Sequence, residues 1–310
     1  MRRIITLLAL LVLLMPVSSP VSAVLFGEPD EDNEWGNVAF LVFGFAVEVD
    51  DVRYFVPWVA GCTGTLIDED TVLSAAHCMR EREPTEEDVA HLPDDIAEAV
   101  LDDPEWTVFA SFEWNFEPGR MPQFWDSHRI QGDMIPHPDW GGIADHPRGG
   151  SPDDRYRSLE NDVGLVNLHE QAPETIEPAE LAAPGTLDDL DTQRGQHDTT
   201  FDIVGYGQQE SLPEIRADWT RYTGTVQLVT LRSRITAEFE AVQVTSNPGE
   251  PHRGGACFGD SGGAIFYEEE VVAVNALLLN RHCMGVGFST RVDTEEMHAW
   301  IEKQIEDQSE

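Results

Sequence analysis

Near the end of the chain, Cys257-Phe258-Gly259-Asp260-Ser261-Gly262-Gly263-Ala264 sets one serine among glycines, four residues after a cysteine. Glycine keeps bulk away from that position, so the hydroxyl and the neighbouring backbone N–H groups can come close to a bound carbonyl. A nucleophile site is built this way. Taken alone, the stretch also reads as a Gly-rich turn stapled by Cys257. What separates the two readings is whether the rest of the chain supplies a base, a group to orient it and a second cysteine.

The N-terminus bears on the compartment. Arg2 and Arg3 precede a mostly apolar run from Ile4 to Val17, and Val21-Ser22-Ala23 follows with small residues where a signal peptidase reads them. The pattern predicts a signal peptide over residues 1–23, cleaved after Ala23, with an apolar core short for a membrane span. The mature chain is then expected to be secreted, with no stable membrane association. In an oxidising compartment the four cysteines, Cys62, Cys78, Cys257 and Cys283, are expected in two disulfides rather than in a metal site, and no Cys-x-x-Cys spacing occurs.

Charge narrows the partners. The formal net charge is −39, from 58 acidic residues against arginines and the single Lys303. Such a field repels nucleic acid and anionic membranes. A strongly acidic, lysine-poor surface is also what a high-salt habitat favours, because screening removes the self-repulsion.

A base and its setting appear early in the chain. Val38 to Val47 and Tyr54 to Val59 are rich in aromatic and β-branched residues around the acidic Glu48-Val49-Asp50-Asp51, which predicts strand, turn, strand. Gly61-Cys62-Thr63-Gly64-Thr65-Leu66-Ile67 and Thr71-Val72-Leu73-Ser74-Ala75-Ala76-His77-Cys78 then read as a hairpin ending on a histidine. A Cys62–Cys78 bond could close it, worth roughly 3 kcal/mol for a loop of that size.

Thr65-Leu66-Ile67 through His77-Cys78, taken with Gly259-Asp260-Ser261-Gly262-Gly263, resembles the trypsin/chymotrypsin-like serine proteases, in particular their secreted bacterial branch. The resemblance runs, with insertions, from about Val24 to Ile305. It implies an all-β fold of two six-stranded antiparallel barrels and a C-terminal helix, forming one protease domain over 24–310 with the barrels meeting near 179–199. Within it, Asp162 in Asn161-Asp162-Val163-Gly164-Leu165 matches the acidic member that holds the histidine's tautomer. The order His77, Asp162, Ser261 is the chymotrypsin order, unlike those of subtilisins or α/β-hydrolases.

Further segments fill in the picture. Residues 82–104 form an acidic insertion with Thr85 and Asp88 at capping-box spacing and Ile96, Val100 and Leu101 spaced for one helix face. Its carboxylates show no regular calcium-ligand spacing. The span 118–157, rich in Pro, Gly, Asp and Trp, predicts mostly loop. Strands are expected at 200–207, 222–231, 241–244, 264–267 and 271–279, and Asp293-Thr294-Glu295-Glu296 predicts the cap of a helix bearing Met297, Trp300, Ile301 and Ile305 on one face.

The resemblance implies a secreted endopeptidase acting on extracellular proteins or peptides, monomeric and needing neither metal nor organic cofactor. His77, Asp162 and Ser261 are its expected catalytic residues, and the N–H groups of Gly259 and Ser261 its oxyanion hole. Gly255 matches the base of the primary specificity pocket, Leu277 and Leu278 a wall, and Gly287 the position across from it. Ala276 stands where the family usually has a serine. Cleavage after small or medium apolar residues follows. Val24 matches the aliphatic residue whose freed amine pairs with the aspartate before the catalytic serine, here Asp260. Two other readings share the motifs: an inactive secreted binding protein on this fold, and an esterase using the same three residues.

Overall fold

The computed structural model describes residues 23–116, 128–142, 156–190, 199–209, 217–247 and 254–308. The expected signal peptide lies, apart from Ala23, outside the described residues. No helix among the described residues is long and apolar enough to cross a membrane.

After a two-residue strand, β1 (Glu28–Pro29), the chain builds a closed barrel. Its strands are β2 (Val38–Val49), β3 (Val52–Asp68), β4 (Thr71–Ser74), β5 (Glu105–Ser111), β6 (Arg129–Pro136) and β7 (Gly164–Leu168), in spatial order β2-β3-β4-β7-β6-β5. Every residue from Val38 to Val47 is buried. A continuous apolar run of this kind marks a strand covered on both faces. Asp50 and Asp51 have φ of 52° and 61°, the left-handed pair that a tight hairpin turn demands. The two expected strands after that turn are one, β3, which runs on from the turn to the barrel.

The acidic insertion supplies the cover at the far end of this hairpin. The Glu86–Val89 helix carries the expected capping box between Thr85 and Asp88, and the Asp94–Asp102 helix follows. Val89 and Val100 pack with Phe45, Val47 and Val56, with Ile96 partly buried beside them. Leu101 departs from the expected apolar face and is exposed. The insertion is thus a lid on apolar strand residues, with its carboxylates outward.

Two further strands differ from the sequence reading. Arg129–Pro136 lies in the span expected to be loop, yet it pairs with both β5 and β7 and closes the first barrel. Prolines and aspartates around it dominate the composition, and the strand itself is short of β-branched residues.

The second barrel uses β8 (Thr200–Gly205), β9 (Tyr222–Thr230), β10 (Ala241–Ser246), β11 (Ala264–Tyr267), β12 (Glu270–Leu278) and β13 (Gly285–Arg291). These join in the order β9-β10-β13-β12-β11-β8, and β8 pairs back to β9 to close the ring. β13 is the second strand missing from the sequence reading, because Gly285 and Gly287 weaken its pattern. The fold is therefore two closed six-stranded antiparallel barrels with a C-terminal helix. After β7 the chain reaches the second barrel at Ala182, which donates to the Val271 carbonyl at 3.0 Å. The Glu295–Gln308 helix is capped by Thr294 Oγ1, which accepts the Met297 N–H at 3.2 Å, and it buries Met297 and Ile301.

Candidate active site

Each barrel sends one group of residues to the same place. From the first comes the short 3-10 turn Ala76–Met79, directly after β4, which carries His77. From the entrance to β7 comes Asp162, buried among apolar neighbours. Its carboxylate accepts twice from the same residue: the His77 backbone N–H at 2.8 Å and the ring Nδ1 at 2.7 Å. Nδ1–H is thereby the donor, and Nε2 is left as the ring's acceptor. Burial pulls the His77 pKa down, but the charge of Asp162 and its hydrogen bond outweigh that, and the net shift is upward from 6.5.

From the second barrel comes the loop before β11, which carries Ser261. Thr63 on β3 donates its N–H to the Ser261 carbonyl at 2.8 Å, and Cys78, next to His77, sits with its Sγ 3.8 Å from the same oxygen. The clamp continues one residue on. Gly262 has φ +81°, and a Cβ there would lie 2.0 Å from Ser74 Oγ and 2.5 Å from the Thr63 carbonyl. Only glycine lets the two barrels close at this point. Cys62 is bonded to Cys78, and Cys257 to Cys283, so one disulfide braces each side of the site. His77 lies within 4.8 Å of both sulfurs of the first pair, but sulfurs joined to each other are not metal ligands.

The serine loop has a defined backbone. Gln208 donates to the Phe258 carbonyl at 2.9 Å, and Thr63 Oγ1 donates to the Gly259 carbonyl at 2.9 Å. With both carbonyls tied down, the intervening N–H groups have fixed directions. Among the described residues neither the Gly259 nor the Ser261 N–H has a backbone acceptor, while those of Asp260, Gly262 and Gly263 do. An anionic oxygen between them would take two ready donors.

Asp260 points the other way, into the protein. It is fully buried, accepting from the Gly207 N–H at 2.8 Å and the Cys257 N–H at 2.8 Å. Burial pushes its pKa up to about 7 against the downward pull of those two bonds. No cation among the described residues pairs with it. The N-terminal segment docks nearby: Val24 is fully buried, the Leu25 N–H donates to the Gly255 carbonyl at 2.8 Å, and Leu25 packs against Cys257 and Cys283.

Beside Ser261 opens a pocket lined by Val244, Ser246, Ala256, Asn275, Leu278, Gly287 and Ser289 among others. Leu278 and Gly287 both line it, with Leu278 Cδ2 3.5 Å from where a Gly287 Cβ would be. Gly255 is not on the pocket's surface, which corrects its expected place at the base. It is buried behind Ser246, whose Oγ would lie 2.0 Å from a Cβ on Gly255. Sequence reasoning did not single out Thr63, Ser74 or Asn275. The first two belong to strands flanking the histidine motif, and only the paired barrels turn them toward the serine.

Two barrels with a His–Asp pair on one and a Gly-flanked serine on the other define the chymotrypsin-like class of fold. The trypsin family model matches residues 45–97 and 129–301, more than half of the chain, and the chain belongs to that family. No curated protein sequence aligns significantly with it. Among solved structures, that of GrC is similar with a TM-score of 0.55 and 19% identity, covering 91% of this chain and 100% of the other. A double mutant of human heparin binding protein (CAP37) is similar with a TM-score of 0.55 and 17% identity, covering 91% and 97%. At such identities the likeness is one of fold.

Proposed function

We propose that the chain is a secreted serine endopeptidase that cleaves peptide bonds through His77, Asp162 and Ser261. The observation that carries the proposal is the double hold of Asp162 on His77, at 2.8 and 2.7 Å, which leaves Nε2 as the ring's free basic nitrogen. In this reading His77 takes the Ser261 proton as the hydroxyl attacks the substrate carbonyl. The tetrahedral oxyanion is held by the N–H groups of Gly259 and Ser261. His77 then gives its proton to the leaving amine, and water, activated by the same nitrogen, releases the acyl group. Asp162 stays charged throughout and stabilises the imidazolium.

Activation follows from Asp260. A buried carboxylate without a counter-charge is costly. Cleavage after Ala23 would create an ammonium on Val24, on the segment already docked at Gly255, and this amine is the proposed partner. Heparin binding, the property in the name of one structural neighbour, does not transfer. A net charge of −39 repels a polyanion.

The test is digestion of a peptide library by the chain starting at Val24 and by its Ser261→Ala variant. Cleavage by the first alone supports the proposal. Ester turnover without any peptide cleavage would favour an esterase, and no turnover of either kind a binding protein.

A further inference from the structure

Three consecutive N–H groups, those of Tyr206, Gly207 and Gln208, fasten the serine loop from directly after β8. Gln208 donates to the Phe258 carbonyl at 2.9 Å, and Gly207 to the Asp260 carboxylate at 2.8 Å. Between these two fastened residues lies Gly259, and the Tyr206 N–H reaches it through a relay. That N–H donates to Thr63 Oγ1 at 3.1 Å, and the same hydroxyl donates to the Gly259 carbonyl at 2.9 Å. The chemistry of the end groups sets the direction. A backbone N–H can only donate and a carbonyl can only accept, so the one hydroxyl proton points at Gly259.

The relaying residue belongs to the other barrel. Thr63 lies on β3, fully buried, and its backbone is held twice more: its N–H donates to the Ser261 carbonyl at 2.8 Å and its carbonyl accepts from Ser74 Oγ at 2.9 Å. Two glycines of the second barrel make room for its side chain. A Cβ on Gly205 would lie 3.2 Å from Thr63 Oγ1, and a Cβ on Gly263 would lie 3.0 Å from Thr63 Cγ2. A β-branched side chain is stiff at its first torsion, so the hydroxyl is held in place as well as bonded.

What the hydroxyl holds is the most pliable residue of the loop. Gly259 has φ +105° and no side chain to wedge it. The peptide before it is tied at the Phe258 carbonyl. The peptide after it is tied at the Gly259 carbonyl by Thr63, and at the Asp260 N–H by the Cys257 carbonyl at 3.0 Å. Resting on the protease reading above, we infer that Thr63 is a positioning residue: its hydroxyl, supplied by the first barrel, fixes the Gly259–Asp260 peptide and thereby aims the Gly259 N–H at the developing oxyanion. In Thr63→Val a methyl would stand where the hydroxyl oxygen now lies 2.9 Å from the carbonyl oxygen. Carbon needs more room than a hydrogen-bonded oxygen, so the peptide turns away and carries the N–H with it.

The experiment uses the chain starting at Val24, with active sites counted by end-point titration with a fluorophosphonate. Thr63→Val should lower kcat per titrated site roughly ten- to hundredfold with KM within about threefold of wild type, because the oxyanion bond is made only in the transition state. A peptide aldehyde, whose adduct with Ser261 places an oxyanion at the same donors, should bind more weakly by a similar factor. Thr63→Ser keeps the hydroxyl and should stay within about threefold of wild type in kcat. A purely structural role would reduce the number of titrated sites and leave kcat per site where it was. Should Thr63→Val not fold, Thr63→Ala takes its place as the variant without a hydroxyl. Near-wild-type kcat in the hydroxyl-free variant, a loss confined to KM, or Thr63→Ser as slow as that variant overturns the inference and leaves the protease reading standing. A wild-type chain that takes up no fluorophosphonate and cleaves no peptide sinks the protease reading, and the inference with it.

Discussion

Arg221 and Asp30 meet at 2.8 Å with both side chains buried, joining the residue just before β9 of the second barrel to the segment that follows the N-terminal dock. The guanidinium also donates to the Val38 carbonyl at 2.9 Å, the Phe112 carbonyl at 3.2 Å and Tyr206 Oη at 3.2 Å, and it bonds Asn33 Oδ1. Asp30 in turn accepts the Glu34 and Trp35 N–H groups at 2.8 and 3.2 Å. Every nitrogen of the guanidinium and both oxygens of the carboxylate have a partner, which is the condition under which a buried pair holds. Asp30→Ala strands the cation and should cost about 3 kcal/mol or more in urea unfolding. Arg221→Met, which removes the charge it would strand, should keep the Asp30 turn bonds, and the account expects a loss no greater than that of Asp30→Ala. A neutral result for Asp30→Ala would show that the pair does not anchor this segment.

The buried Asp260 gives a pH signature. Its pKa is raised from 3.8 to about 7 by burial, so without a cation the folded state favours the protonated form. In a chain extended ahead of Val24 the Asp260 contribution should therefore cost nothing below about pH 4, grow as pH rises, and carry its whole penalty above about 7. A chain beginning at Val24 pairs the carboxylate with its ammonium. Its decline over that window should be much smaller until the amine itself deprotonates, above roughly pH 8. Identical pH–stability curves, or full activity with the extension intact, would reject Val24 as the partner.

Much of this was legible in the sequence because the chemistry sits in short local motifs. His77 and Ser261 lie in strings whose residue types and order leave few alternatives, and the apolar run at β2 announces a buried strand. Asp162 was found by its position before β7. What stayed hidden is relational. β6 lies in a Pro- and Asp-rich span and is a strand only because β5 and β7 present open edges to it. Arg221 looks like an ordinary strand cation until the Asp30 turn closes over it. Gly255 faces Ser246 rather than the pocket, beside the Asn247–Gly254 bridge that the sequence does not announce. Asn275 sits in an apolar strand, and nothing in its neighbours says that Ser289 will hold one end of its amide.

Gly262 should be nearly irreplaceable. In Gly262→Ala the new methyl meets the Ser74 hydroxyl and the Thr63 backbone, so the serine loop must shift away from the first barrel. The expected result is a cost of about 1–3 kcal/mol in stability and roughly a hundredfold loss of kcat/KM, since misplacement by about 1 Å suffices. Activity within twofold of wild type would mean that the Thr63 clamp does not position Ser261.

The His77 pair sets the acidic limb of the rate profile. Because Asp162 raises the His77 pKa above 6.5 despite the opposing effect of burial, kcat/KM should fall as pH drops through a value above 6.5. Asp162→Asn removes the charge and the tautomer control. The rate at neutral pH should drop by about 10⁴ and the limb should move to lower pH. A limb that stays in place in Asp162→Asn would uncouple the two residues.

The central claim, that Ser261 is a nucleophile activated by His77, is tested most directly by covalent labelling of the folded chain starting at Val24 with a fluorophosphonate, followed by mass mapping of the adduct. The account predicts one adduct per chain, on Ser261, absent in Ser261→Ala and slowed by several orders of magnitude in His77→Ala. An unlabelled Ser261 in correctly folded protein, or labelling at an undiminished rate without His77, would contradict it.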